Sequence, residues 1–154
     1  MNKRIIISYM GHSAGSSDFL DMACKAIGEE GIVYHRVILN GCRLNEAGYS
    51  SIYDGFLDWG KTIDRDGDDP ISICLVAKGP RQVTYLQVAT LIHELIVLCS
   101  EYSIPTENIY FNHELSEKGQ MPDQSHSKKI QAILSTFLHR IRGQVISDAC
   151  FTGD

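Results

Sequence analysis

Hydrophobic positions along the chain fall into short apolar runs separated by longer amphipathic stretches. Arg4–Met10 carries Ile5-Ile6-Ile7, a β-branched run that reads as a buried strand. Gly11–Ser17 is a Gly- and Ser-rich loop. Ser17 or Asp18 then caps a helix over about 18–30 with Phe19, Met22, Ala23, Ala26 and Ile27 on one face, and Gly28 and Gly31 bracket its end. Ile32–Leu39 is β-rich. Asn40-Gly41 is a hairpin signal, with Cys42–Glu46 as the return strand. Residues 49–70 keep no period and read as a long exposed loop. Ile71–Ala77 is a second buried strand. A helix starts at Gln82 or Thr84 and runs to about Tyr102, striped by Val88, Leu91, Ile92, Leu95, Leu98 and Cys99, and Pro105 enforces the break. Asn108–Asn112 is a strand and His113–Ser125 a loop. Lys128–Arg142 is a last helix with Ile130, Ile133, Leu134, Phe137, Leu138 and Ile141 facing in.

This order, β-α-β-β-loop-β-α-β-α, predicts an α/β fold with a mixed central sheet and flanking helices. One domain covers 1–154, with its core over about 4–142 and a C-terminal tail over 143–154. At 154 residues, 44% apolar and 21% charged, the chain has a length and composition that support a buried core without disulfides.

The net charge of −5 and the scattered basic residues argue against a nucleic-acid partner. The apolar run Leu91–Cys99 is broken by His93 and Glu94 and is far shorter than the roughly 20 residues of a membrane span. The apolar start is too short for a secretory leader, so the expectation is a cytoplasmic protein with no membrane partner. The five cysteines (Cys24, Cys42, Cys74, Cys99 and Cys150) have no zinc-knuckle spacing and read as reduced thiols. Asp64, Asp66 and Asp68 alternate like a calcium loop. Asp69 and Leu75 stand where that loop needs Gly and Glu, so a solvated turn is expected.

Of the six histidines, His35, His93 and His139 read as structural or surface residues. His113 stands apart. It directly follows a strand and opens a polar loop beside Asn112, Glu114 and Glu117, where a rigid element can aim a ligand or a base.

Several segments together resemble the type 2 N-acetylmuramoyl-L-alanine amidases and peptidoglycan recognition proteins, the family of the phage lysozyme amidases. They are Ile32–Ile38 with Asn40-Gly41, Glu46-Ala47-Gly48, Ile71–Val76, Thr84 with Gln87, His113-Glu114, and Met121-Pro122-Asp123. The resemblance runs over about residues 4–141. It implies an amidase-like fold and, for active members, a zinc ion held by two His and one Cys or Asp, with a supporting Tyr. Carried over residue by residue, the Tyr is Tyr34 and the second His is His113. Without gaps the first His falls on Ser8 and the third ligand on Met121, a set that implies no zinc and an inactive amidase fold, the favoured placement. With two shifts the set becomes His12, His113 and Asp123, which implies a zinc amidase.

The expectation drawn from the favoured placement is a metal-free binding or regulatory module in the cytoplasm, with no cofactor and with the phage origin that the resemblance implies. Its partner would be a small polar ligand or a protein. Its groove would be lined by Ser8, His12, Tyr34, Trp59, His113 and Met121, with Tyr34 as the catalytic residue the family would use. The alternative is a zinc-dependent amidase acting on peptidoglycan or muropeptides.

Overall fold

The computed structural model describes residues 3–9, 34–41, 54–77, 79–115 and 125–152, with side chains of the last helix described through Arg140. Five strands form one mixed sheet: β1 (Ile5–Tyr9), β2 (Arg36–Ile38), β3 (Leu57–Trp59), β4 (Ile71–Leu75) and β5 (Ile109–Phe111), in the order β3-β2-β4-β1-β5. β2, β4, β1 and β5 run parallel and β3 is an antiparallel edge strand. Two helices, α1 (Tyr85–Tyr102) and α2 (Ser125–Thr152), complete the described architecture. No described helix is long and apolar enough to cross a membrane.

The alternation of strand side chains sorts the core into two faces. Ile5 and Ile7, Ile71, Ile73 and Leu75, Ile38, and Ile109 and Phe111 point to one side. There they meet Leu91, Leu95 and Leu98 of α1 and Ile130 and Leu134 of α2. Val37, Leu39, Cys74 and Val76 form a second cluster on the opposite side, with Tyr34 packed against it. The parallel register keeps these faces in phase, because Ile7 lies level with both Ile73 and Phe111, and Arg36 with Ile73.

Helix α1 begins where its sequence says it should. Thr84 and Gln87 form a reciprocal capping box. Gln87 is fully buried and uses every polar atom. Its Nε2 donates to the Ile38 and Val76 carbonyls at 3.1 and 3.2 Å, and its Oε1 accepts from Asn40 Nδ2 and Thr84 N–H at 3.0 and 3.1 Å. One side chain thus pins the C-terminal ends of β2 and β4 to the helix start. The helix ends at Ser103, in the left-handed conformation with φ 55°, two residues before Pro105.

Three sequence expectations change. The antiparallel partner of β2 is β3, inside the stretch read as an irregular loop, and no tight Asn40-Gly41 hairpin joins them. Gly41 N–H instead donates to Asp54 Oδ1, and Leu39 pairs with Gly55 and Phe56. Gly55 sits at φ +74° with Leu86 packed where a Cβ would go, so only glycine suits that turn. The last helix starts at Ser125, not Lys128, and its backbone continues to Thr152 through the segment expected to be a tail. The stripe residues Val88 and Phe137 are 39% and 40% exposed and do not join the core. The expected 18–30 helix and the Cys42–Glu46 strand lie outside the described residues.

Candidate functional site

The C-terminal ends of β1 and β5 lie side by side, and the chain leaves β5 through a single 3-10 turn, Asn112–Glu114. That turn carries His113 out beside Tyr9, the last residue of β1. The Tyr9 ring stacks on Phe111 with centroids 5.8 Å apart and lies 5.5 Å from the His113 ring. His126, in the first turn of α2, meets His113 edge-on at 5.4 Å between centroids, with His126 Nδ1 3.3 Å from His113 Nε2. Both imidazoles are exposed.

Glu114 fixes this arrangement. It is 4% exposed, and its carboxylate caps the start of α2, where unpaired N–H groups favour negative charge. Oε2 accepts from His126 N–H at 3.0 Å, and Oε1 accepts from Ser127 N–H and O–H at 2.7 and 2.6 Å. The fully buried Ser127 hydroxyl in turn accepts Phe111 N–H at 2.9 Å, tying the strand end to the helix start. Burial works to raise the Glu114 carboxyl. The Ser127 hydroxyl and amide, the His126 amide and the nearby imidazole outweigh it, and the group sits below its ordinary value. Tyr9 is pushed up to about 12, first by burial and then by the Glu114 charge, so it remains a neutral phenol.

A groove opens beside this cluster. One cavity of about 240 Å³ has Tyr9, Leu75, Val83, Leu91 and Phe111 among its walls, with His126 and Lys129 at one side. A second, of about 580 Å³, is bounded by Gly79–Gln82 and shares Pro80 and His126 with the first. Aromatic and apolar walls with a cation at the edge suit a ligand with both apolar and anionic parts.

The residues singled out from sequence are dispersed by the fold. Ser8 lies level with Cys74, and alternation aims it at the face opposite Tyr9 and Phe111, so it is not brought onto the His113 cluster. Tyr34 precedes β2 and packs against the second core cluster, on the sheet face opposite Tyr9 and Phe111. By register it stands three strands away from β5, roughly 14 Å across the sheet. Trp59 is on the edge strand β3, 68% exposed, with the Arg36 guanidinium 3.9 Å from its ring centroid. Neither residue shares a site with His113. His12, Met121 and Asp123 lie outside the described residues. His126 and Tyr9 were missed. Their signals are a lone His in a Ser-His-Ser helix start, which draws no notice, and an aromatic at a strand end that passes for core.

The zinc that the resemblance implies needs two imidazoles and a thiolate or carboxylate around one point. Among the described residues Ser8 and His113 are placed from the first set, and His113 alone from the second. Ser8 offers an alcohol on the opposite face, so the first donor set does not fit the ion.

No protein-family model matches the sequence, and no curated protein does. The fold has solved counterparts. N-acetylmuramoyl-L-alanine amidase LysC from Clostridium intestinale URNW aligns with a TM-score of 0.59 at 17% identity, covering 88% of this chain and 87% of that one. The endolysin N-acetylmuramoyl-L-alanine amidase LysCS from the same organism aligns with a TM-score of 0.58 at 16% identity, covering 88% and 85%. The chain therefore has an amidase-like fold.

Proposed function

We propose that this chain is an amidase-fold protein that binds a peptidoglycan-derived sugar-peptide and does not hydrolyse it through the zinc set of the family it resembles. The observation that carries the reading is the separation of Ser8 and Tyr34 from His113: the alcohol points to the other face, and the tyrosine packs against the core cluster of that face. Beside His126, the neighbour of His113, lies a groove walled by Tyr9, Phe111 and Leu91, with Lys129 also among its lining residues. Such walls take the methyl groups and sugar faces of a muropeptide, and the ammonium group takes a stem-peptide carboxylate. The amidase-fold neighbours support this ligand class.

The second reading is a metal-dependent amidase, favoured by the convergence of His113, Glu114 and His126 in one place. Isothermal titration with a soluble muramoyl-peptide, followed by chromatography of the same sample, separates the two. The first reading expects saturable binding with the ligand recovered intact. Release of the free peptide by metal-loaded protein overturns it in favour of the second.

A further inference from the structure

We infer that His113 and His126 form a binding site for one borderline transition-metal cation, keeping the His113 of both ligand sets that the sequence suggests but replacing their other members by His126. His113 Nε2 and His126 Nδ1 lie 3.3 Å apart. Two imidazole nitrogens, each about 2.0–2.1 Å from a tetrahedral ion, are separated by about 3.3 Å. The pair thus already has the spacing of two ligands on one metal.

The spacing is held by structure around it, not by the two side chains alone. His113 sits in the turn after β5 and His126 in the first turn of α2. These two elements are locked together by the Glu114–Ser127–Phe111 hydrogen-bond chain. Tyr9 lies 5.5 Å from the His113 ring, and Phe111 lies 5.8 and 6.0 Å from the His113 and His126 rings. Two ligands fixed on rigid elements lose little entropy when an ion arrives.

A direct N–H···N hydrogen bond accounts for the same distance when the ion is absent. It needs only one proton between the rings, which a divalent ion would displace. The Glu114 carboxylate, with an oxygen within 4.8 Å of a ring nitrogen of each histidine, supplies negative charge. Three donors already engage that carboxylate, so it acts from the outer shell, through water. Imidazole donors select Zn²⁺, Co²⁺, Ni²⁺ or Cu²⁺ over Mg²⁺ or Ca²⁺. The remaining positions of such an ion are left to water or to a carboxylate or carbonyl of a molecule in the adjoining groove, which His126 also lines.

The test is titration of the full chain with Co²⁺, read by visible absorption and calorimetry, with circular dichroism to check that each variant is folded. The expected result is one Co²⁺ per chain with ligand-field bands, and no uptake of Mg²⁺. His126→Ala and His126→Gln should each weaken binding by more than about a hundredfold, because even outer-shell losses cost about 10–100-fold. His113→Ala should do the same, and His12→Ala and Asp123→Ala should change nothing. Absence of Co²⁺ uptake by the wild-type chain overturns the inference. So does uptake that survives His126→Gln but is lost with His12→Ala, which returns the ion to the set the resemblance suggests. Muropeptide binding measured in chelator tests the preceding functional reading separately.

Discussion

Glu114 Oε1 accepts both the backbone N–H and the side-chain O–H of Ser127, at 2.7 and 2.6 Å. This double contact joins the last strand to the last helix and places His113 beside His126. Glu114→Ala leaves the α2 N-terminus and the buried Ser127 hydroxyl without their acceptor. The expected loss is on the order of 2–3 kcal/mol by chemical denaturation. Glu114→Gln, which keeps an acceptor but no charge, should lose less. An unchanged midpoint in Glu114→Ala would refute the role.

The same carboxylate makes stability depend on acid. Its folded value lies below the ordinary 4.5, so the unfolded chain takes the proton first. The ionised group contributes fully above pH 4.5, and its contribution is lost as pH falls through the lower folded value. Melting curves from pH 6 downward, in about half-unit steps, should converge for wild type and Glu114→Gln in strong acid.

His35 adds a second acid-sensitive contact. Its ring Nδ1 accepts Ser72 N–H at 2.9 Å, and its backbone N–H donates to Ser72 O at 2.9 Å. Burial first, and then the charges of Lys61, Arg36 and Lys3, hold the imidazole below its ordinary 6.5, against a smaller opposing effect of Asp69. The neutral ring stabilises the fold at neutral pH, and that contribution falls away as pH drops below 6.5. His35→Phe should flatten the stability profile in that window while lowering stability at pH 7.

Arg36 Nε donates to Glu94 Oε1 at 2.9 Å, joining β2 to α1 with both side chains buried. Glu94→Ala strands a buried guanidinium and should cost about 3–5 kcal/mol. The double variant Arg36→Met, Glu94→Leu should recover much of that, because it removes the charge together with its partner. A double variant no more stable than Glu94→Ala would show that the Arg36 stack on Trp59 and its Nη1 hydrogen bond to the His35 carbonyl at 2.8 Å matter more than the pair.

Local signals in the sequence were good guides and long-range ones were not. Ile5–Ile7 and Ile71–Leu75 read as buried strands because strands covered on both faces are continuously apolar. The α1 start is legible only to Gln82 or Thr84 because the apolar stripe marks a helix and not its cap; the structure puts the cap at Thr84, in a reciprocal box with Gln87. β3 escaped notice because Leu57-Asp58-Trp59 is too short to show alternation. The pairing of β2 was misjudged because Asn40-Gly41 is a local turn signal and the true partner lies beyond it in the chain. His113 was legible from its place after a strand. Its neighbours Tyr9 and His126 come from parts of the chain far apart in sequence, and only the β1–β5 register and the Glu114 cap bring them together.

The central claim is that the groove beside Tyr9, Phe111 and His126 binds a muropeptide without the family's zinc chemistry. The most direct measurement is a two-dimensional NMR titration of the labelled chain with a muramoyl-peptide, run once in chelator and once with added zinc, with the ligand followed in the same tube. The account predicts saturable shifts concentrated at Tyr9, Phe111, His126 and Lys129, with the ligand intact. Shifts confined to the region of Tyr34 and Trp59, or cleavage of the lactyl-alanine amide under these conditions, would contradict it.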